Sequence, residues 1–251
     1  MEYPNVSILM PSYNRPHFLP LITFNLLNMK YDKSKLELCI IDDGKTPLFT
    51  TETLRDTRNT LAPLTINYIR ETRRNEIGVK RNRLVKLAKH KICIMMDDDD
   101  IYFSTYIKHS IDKLKQSKSG LVGSNHMLFV YPSHNYKMSN IKCSAKRQIH
   151  EATMCFTKKY FRSMPGFVKS SRGEGASMID FNEKNAEYTD IDKCMVCVSH
   201  SDNSIGKEQF YQYKIQAKIG DPGYTNILES ITGIKYDPNR PDSDDETDDK
   251  D

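Results

Sequence analysis

The sequence predicts a single-domain α/β fold in which helices flank a mostly parallel, Rossmann-like central sheet. Within the first 120 residues, short apolar runs alternate with segments whose apolar side chains recur every three or four positions. These are the patterns of strands and of amphipathic helices. The apolar runs are continuous, as expected of strands that helices cover on both faces. A chain of 251 residues, 38% of them hydrophobic, is long enough to bury one such core.

Four strands and three helices are predicted in the first half of the chain, residues 1–120. Phe18, Ile22, Leu26 and Met29 are spaced four, four and three positions apart, which is typical of one face of a helix. Ser104 is the predicted N-cap of the third helix. The predicted strands are 6–10, 36–41, 64–69 and 92–96, and the predicted helices are 18–29, 78–90 and 104–116.

The second half, residues 121–236, has shorter apolar runs and more turn residues. We expect a loop at 165–175, turns from Gly220 onward and a disordered acidic tail at 237–251. The predicted strands are 121–126, 127–131, 152–156 and 194–199, and the predicted short helices are 158–163 and 176–185.

Four consecutive aspartates, Asp97, Asp98, Asp99 and Asp100, directly follow the apolar run at 92–96. Their carboxylates repel one another and raise each other's pKa values unless a cation neutralises them. Mg²⁺ and Mn²⁺ prefer such oxygen ligands, together with substrate phosphates. If the strand continues, Asp97 and Asp99 share one face and Asp98 and Asp100 the other. The pattern favours a divalent metal site over a solvated acidic turn.

Four sequence blocks occur in a characteristic order: VSILMPSYNR at 6–15, CIIDDG at 39–44, NEIGVKRN at 75–82 and IMMDDDD at 94–100. The chain resembles the family 2 nucleotide-sugar glycosyltransferases, which have the GT-A fold. The family pattern is a strand ending in P-x-Y-N, a strand ending in D-D-G, an R-N element and a strand ending in D-x-D. The resemblance implies that residues 1–120 bind the donor and that 121–236 bind the acceptor.

The resemblance also implies roles for individual residues. Tyr13 would lie against the nucleotide base, and Asp42 or Asp43 would hydrogen-bond the uracil or the ribose. Asp99 would bind Mn²⁺ or Mg²⁺ directly, while Asp97, a second metal candidate, would lie nearer the donor ribose or sugar. A late histidine, His200, would reach the metal or the diphosphate. The implied donor-binding residues are Pro11, Tyr13, Arg15, Asp42, Asp43, Arg81, Asp97 and Asp98.

The catalytic base departs from the family pattern, in which an E-D pair follows a G-G-F-like turn. Here Met164-Pro-Gly-Phe167 resembles the turn and Glu174 matches the first acid, but Gly175 stands where the family has the aspartate. An inverting transfer needs a carboxylate to take the proton of the acceptor hydroxyl. We expect Glu174, open between two glycines, to do so, with Asp180 as the alternative.

Charge and composition are consistent with a polyanionic ligand. The net charge is +4, but the last eleven residues hold seven acids and one base, so residues 1–240 carry +10. A basic body suits a nucleotide, although a solvated lysine-rich surface explains it equally well. No apolar run approaches the roughly 18–20 residues of a membrane helix, and no signal peptide is evident. We therefore expect a cytoplasmic protein without an integral membrane segment.

The six cysteines do not form a disulfide pattern, and we expect all of them to be reduced. Cys194 and Cys197 form a C-x-x-C pair near His200, but there is no second such pair to complete a structural zinc site.

The sequence contains neither a Walker P-loop nor G-x-G-x-x-G, which disfavours NTPases and dinucleotide enzymes. No nucleic-acid module is evident. The main hypothesis is a UDP-sugar-dependent hexosyltransferase acting on a glycan, protein or lipid-linked acceptor. The alternatives are a nucleotidyltransferase-like enzyme and a non-catalytic sugar-nucleotide-binding protein.

Overall fold

The computed structural model describes residues 2–143, 149–179, 187–203, 206–211, 215–219 and 221–240, which form twelve strands and six α-helices. The strands are β1 (Val6–Ser12), β2 (Leu36–Asp42), β3 (Thr65–Arg70), β4 (Ile92–Met95), β5 (Ile101–Tyr102), β6 (Leu121–Gly123), β7 (His126–Tyr131), β8 (Lys137–Lys142), β9 (Cys155–Thr157), β10 (Glu187–Tyr188), β11 (Met195–Val198) and β12 (Ile215–Lys218). The helices are α1 (Leu19–Asn28), α2 (Thr51–Leu61), α3 (Ile77–Leu87), α4 (Tyr106–Gln116), α5 (Lys158–Ser163) and α6 (Pro222–Thr232).

The larger sheet has seven strands in the order β10-β6-β9-β4-β1-β2-β3. β1 pairs in parallel with β2 and with β4, and β2 pairs in parallel with β3. β9 is antiparallel to both β4 and β6. The carboxyl ends of β1, β2 and β4 therefore meet at one edge, where open α/β sheets bind ligands. The predicted mostly parallel central sheet is confirmed.

A second sheet has five strands in the order β12-β8-β7-β11-β5. β5 lies six residues after the end of β4 and pairs with β11, while β11 pairs in parallel with β7. The acidic run, residues 97–100, therefore connects the two sheets. Side chains from the second sheet face the carboxyl edge of the first across this connection.

The apolar strands explain why helices cover both faces of the larger sheet. Every residue of β1 and β2 is buried. Val6 and Ile8 of β1 belong to one hydrophobic cluster with α1, α2 and α4, whereas Leu9 belongs to another with α3 and α5. This alternation follows from the period of two along a strand. Among the helices of the described residues, none combines the length and apolar character that crossing a membrane requires.

Most predicted elements of the first half match the structure within a few residues, and the helix predicted at 158–163 has the predicted bounds. The N-cap prediction is wrong: α4 begins at Tyr106, Thr105 precedes it, and no side chain caps it. The predicted helix at 176–185 is a single 3-10 turn, Ala176–Met178, as far as it is described. Residues 180–186 and the part of the tail at 241–251 lie outside the described residues.

Six of the described helices and strands were not predicted: α2, α6 and β8, and the short strands β5, β10 and β12. α2 has few apolar residues and begins instead with a reciprocal capping box between Thr50 and Thr53. α6 occupies the region predicted as turns; Asp221 caps it, Pro222 is its first residue and Gly233 ends it with φ of 70°. β8 has only two apolar residues, Met138 and Ile141, and is held by its pairing with β7. The signals of α2 and α6 are local polar contacts, which hydrophobic periodicity does not detect.

Ile94→Ala should lower the free energy of unfolding by about 2–5 kcal/mol, because Ile94 is fully buried in β4 and the truncation leaves a cavity. Leu27→Ala is the control: Leu27 is 45% exposed, so its loss should change stability by about 0.5 kcal/mol or less. Urea unfolding measures both. Equal losses for the two variants would contradict the packing described here.

Candidate active site

A cavity of about 540 Å³ opens at the carboxyl ends of β1 and β4. One wall is formed by residues 11–15, by the start of α3 and by the acidic run. Met127 and Phe129 of β7 form an apolar wall within the rest of the lining, which also includes polar residues such as His150, Glu151 and Lys207. Small-molecule sites have volumes of about 300–1,000 Å³ and combine apolar walls with a few polar groups. The cavity is therefore the candidate active site.

Each aspartate of the acidic run has a basic partner. β4 ends at Met95 and β5 begins at Ile101, so the run is a turn and the expected strand alternation does not apply. A turn lets neighbouring carboxylates point to different cations instead of to one face. The partners are Arg81 for Asp97 (3.1 Å), Arg15 for Asp98 (2.8 Å), Arg15 and His200 for Asp99 (2.5 and 3.0 Å), and Lys207 for Asp100 (3.0 Å).

Burial and neighbouring charges shift the pKa values of the acidic run in different directions. Burial raises the pKa of Asp98 to about 6, against the opposing charge of Arg15. Burial likewise raises the pKa of Asp100 to about 6, although the positive charge of Lys207 acts to lower it. Burial also opposes ionisation of Asp99, but Arg15, Lys207 and His200 outweigh it and hold the pKa of Asp99 below its ordinary value. Asp99 is therefore the carboxylate of the run that its surroundings most favour in the charged form.

Arg81 links the acidic run to the second half of the chain. It projects from α3 with its side chain 4% exposed. Its Nη2 donates to Asp97 and its Nε donates to Glu174 at 3.0 Å. Burial opposes its charge, yet Asp97, Glu174 and Glu151 raise its pKa above the ordinary value. Its Nη1 is buried and has no hydrogen-bond partner among the described residues, so a ligand oxygen that reached this nitrogen would satisfy it.

Glu174 is not open to an acceptor, contrary to the sequence-based expectation. It is 5% exposed, it is absent from the lining of the cavity, and burial raises its pKa. The physical reason is its ion pair with Arg81, which draws the carboxylate inward. The alternative base, Asp180, lies outside the described residues.

Asp42 and Asp43 also differ from expectation, because protein groups occupy both carboxylates. Asp42 accepts from the N–H groups of Gly44 and Leu48 and from the hydroxyl of Tyr68. Asp43 pairs with Lys80 at 2.7 Å and accepts from the N–H of Asn75 at 2.6 Å. Both are buried, and neither is part of the cavity lining. In the structure they position the surrounding loops, and their roles toward a uracil or a ribose stay predictions.

The loop after β1 provides an aromatic surface. Pro11, Tyr13 and Arg15 all line the cavity, as predicted. The guanidinium of Arg74 lies 4.2 Å from the centre of the Tyr13 ring, a cation–π geometry. The arrangement offers a flat, basic surface on which a nucleotide base can stack.

His200 lies beside Asp99 and is not an isolated surface histidine. Its Nε2 is 3.0 Å from Asp99 Oδ2, and the amide of Asn203 donates to the same oxygen at 3.3 Å. The C-x-x-C pair has a different environment: Cys194 and Cys197 are buried free thiols at β11. Among the described residues, no group of three or more His, Cys, Asp or Glu can hold a metal ion by itself.

Sequence reasoning missed several residues of the cavity. Arg74 and Lys80 line it, and both belong to the basic segments around the R-N block, which was the available signal. His150 and Glu151 also line it, but nothing in the sequence marks them, because only the folded chain brings them beside Arg81.

The profile of glycosyl transferase family 2 matches residues 7–171, which are 165 of the 251 residues. The chain belongs to glycosyl transferase family 2. The matched segment contains all of β1 except its first residue, and it includes the acidic run, Arg81 and Glu151. The predicted family and the assignment as a glycosyltransferase are confirmed. Among curated proteins, no sequence matches the chain significantly.

Solved structures support the GT-A fold of this family 2 glycosyltransferase. The mannosyltransferase PcManGT from Pyrobaculum calidifontis, in complex with GDP-Man and Mn²⁺, is similar with a TM-score of 0.61 and 17% identity, over 93% of this chain and 70% of that one. TarS 1–349 from S. aureus has a TM-score of 0.56 and 13% identity, over 83% of this chain and 62% of that one. Its complex with UDP-GlcNAc has a TM-score of 0.56 and 12% identity, over 92% and 73%.

Arg81→Met should lower the free energy of unfolding by about 3–5 kcal/mol, because it leaves two carboxylates without their buried counter-charge. Arg83→Met, on the same helix, is the matched control, since Arg83 is 47% exposed in its pair with Glu71 and exposed pairs contribute about 0–1 kcal/mol. Chemical denaturation measures the difference. A loss for Arg81→Met no larger than for Arg83→Met would show that the buried pairs do not hold this region together.

Proposed function

We propose that this glycosyltransferase moves a hexose-type sugar from a nucleoside diphosphate to a hydroxyl group of a glycan, protein or lipid-linked acceptor. In this proposal the anomeric carbon is inverted and a divalent cation takes part. One observation carries the proposal: a single cavity is lined by Tyr13 with Arg74, by Arg81, whose Nη1 has no partner among the described residues, and by Asp99, which pairs with His200. These three features suit, in turn, a base, a diphosphate and a hard cation.

The nucleotide would bind along the wall formed by residues 11–15. Its base would stack on the Tyr13 ring, and the charged groups beside that ring suit the phosphates that follow. Arg81 has one N–H without a partner, and Arg15 is 16% exposed at the cavity. Guanidinium groups bind phosphate oxygens through short, charge-assisted hydrogen bonds. Asp97, 25% exposed, is open enough to accept a hydrogen bond from a donor sugar hydroxyl.

The residues beside Asp99 fit Mn²⁺ or Mg²⁺. Asp99 Oδ2 and His200 Nε2 are 3.0 Å apart, and an octahedral ion with bonds of about 2.1 Å keeps adjacent ligand atoms about 3 Å apart. Carboxylate and imidazole both bind Mn²⁺. Because these two residues are too few to hold an ion alone, the diphosphate would have to supply further oxygens, as is usual for Mg²⁺.

The chemistry follows from where charge develops. When bound, the ion neutralises the negative charge that the diphosphate gains as it leaves. Arg81 would hold a diphosphate oxygen through its free N–H, and its own position is set by Asp97 and Glu174. The apolar wall of Met127 and Phe129 would pack against the sugar and exclude water from the reacting carbon.

The donor is proposed to be a UDP-sugar, from the resemblance described above. PcManGT was solved with GDP-Man and Mn²⁺, and TarS with UDP-GlcNAc and with UDP. Both nucleotides therefore belong in any binding test of this chain. A non-catalytic sugar-nucleotide-binding protein would show the same binding without release of the nucleoside diphosphate.

Asp99→Asn should abolish a Mn²⁺-dependent stabilisation by UDP or GDP. In the wild type, a nucleotide at a hundred times its Kd adds about 2.7 kcal/mol of stability, which thermal unfolding detects readily. The asparagine keeps the size of the side chain but removes the charge that favours the cation. The comparison is between ligand-induced shifts, so a lower starting Tm does not affect it.

Asp192→Asn is the control for this experiment, since Asp192 is an exposed acid in a turn distant in sequence from the acidic run. It should keep the full shift. A shift that is independent of Mn²⁺, or equal in Asp99→Asn and the wild type, would refute the assignment of Asp99. The absence of any shift with either nucleotide would refute the proposed donor class.

A further inference from the structure

Glu151 is a carboxylate of the cavity that no sequence block contains. It begins a one-turn 3-10 helix, Glu151–Thr153, just before β9. Its side chain is partly exposed and lines the same cavity as the acidic run. Glu174, by contrast, is buried behind Arg81 and absent from that lining. The cavity thus has an accessible glutamate on the side of the second half of the chain.

Gly175 shows where this carboxylate lies. Its backbone, with φ of −80° and ψ of −10°, is in the right-handed region that any residue adopts. Backbone conformation therefore does not require a glycine there. A Cβ at this position would lie 2.4 Å from Glu151 Cγ and 2.8 Å from Met154 Cε. Steric exclusion by Glu151 and Met154 is what requires the glycine.

The two residues are also hydrogen-bonded. The Gly175 N–H donates to Glu151 Oε1 at 3.2 Å. Glu151 therefore occupies the space into which a side chain at position 175 would project, and the backbone of position 175 orients it. Position 175 has no carboxylate, and Glu151 places one in the space that a side chain at position 175 would occupy.

The ion pairs distinguish Glu151 from every other acid of the cavity. Asp97, Asp98, Asp99 and Asp100 each pair with a basic side chain, and Asp202 pairs with His17 at 3.1 Å. Within the described part of the chain, Glu151 forms no salt bridge, and its hydrogen bond is the one from Gly175. A general base must be open to its substrate and must not be held by a fixed cation. Glu151 meets these conditions best.

We propose that Glu151 is the general base of the sugar transfer, an inference that rests on the proposed function. Its carboxylate takes the proton of the acceptor hydroxyl as that oxygen forms a bond to the anomeric carbon. The bond between this carbon and the diphosphate oxygen breaks, and its electron pair leaves with the diphosphate. The proton on Glu151 then passes to solvent. No oxidant, reductant or further reactant is needed.

The first test is Glu151→Gln, which keeps an oxygen that can accept from Gly175 but cannot take a proton. The assay mixes the protein with Mn²⁺ and UDP-N-acetylglucosamine, UDP-glucose or GDP-mannose and measures release of UDP or GDP, with water as acceptor. Release should fall about 10²–10⁴-fold, the usual contribution of a general base. The Mn²⁺-dependent thermal shift with UDP or GDP should stay as in the wild type, because the donor site is intact.

Asp192→Asn is the control, since it also removes one negative charge, but from an exposed residue outside the lining of the cavity. Its release rate should stay within about twofold of the wild type, as for an ordinary surface substitution. An equal fall in both variants would show that loss of negative charge, rather than of a base, explains the effect, and would overturn the assignment.

The second test moves the carboxylate between the two positions. Glu151→Ala empties the space beside Gly175, and adding Gly175→Asp places a new carboxylate there from the opposite segment. The double variant should release UDP or GDP at least about tenfold faster than Glu151→Ala alone, within the range that a base contributes. A purely structural role for Glu151 predicts no such recovery.

The outcomes separate this inference from the proposed function. If the wild type releases nucleotide and Glu151→Gln does so equally fast, Glu151 is not the base while the proposed function stands. If Glu174→Gln or Asp180→Asn abolishes release and leaves the thermal shift intact, while Glu151→Gln does not, the base is that other residue. If the wild type shows neither release nor a Mn²⁺-dependent shift with any donor, the proposed function fails and this inference fails with it.

Discussion

The site depends on one buried guanidinium. Arg81 holds Asp97 at the end of the larger sheet and Glu174 in the segment that follows α5. A buried ion pair contributes little net stability, but removing one partner is strongly destabilising. The pairs therefore act chiefly as a constraint on geometry: they fix the acidic run, α3 and residues 173–175 relative to one another. Glu151 adds a third carboxylate near the same charge.

Neutralisation by the protein's own cations allows so many acids to lie together. Arg15 forms ion pairs with Asp98 and Asp99, and Lys207 forms one with Asp100. The segments that carry these cations come from both ends of the chain, so the acidic run is assembled only when both halves have folded. Asp98 nevertheless keeps one buried oxygen without a partner among the described residues. This polar atom next to Asp99 is consistent with a site that binds a further ligand.

The hydrophobic pattern predicted the core of the larger sheet well. β1 and β2 are largely apolar strands, and such strands are stable only in the middle of a sheet that is covered on both faces. The pattern did not predict α2 and α6, whose signals are caps and a terminal glycine. The sequence blocks located Tyr13, Arg15 and the acidic run in the cavity. They could not locate Glu151, because its relation to Gly175 exists only in space. They did not predict that Asp42 and Asp43 have protein partners, because a carboxylate at a strand end can bind the backbone and a lysine as well as a ligand.

The block Asp42-Asp43-Gly44 sets the position of the loop after β1. Asp42 orders the turn, Asp43 holds Lys80, and Gly44 is required because a Cβ there would lie 2.2 Å from the backbone nitrogen of Asn14. The turn after β2 therefore packs directly against the backbone between Tyr13 and Arg15, two residues that line the cavity. A side chain at position 44 would displace that backbone, so a residue outside the lining controls the shape of the cavity.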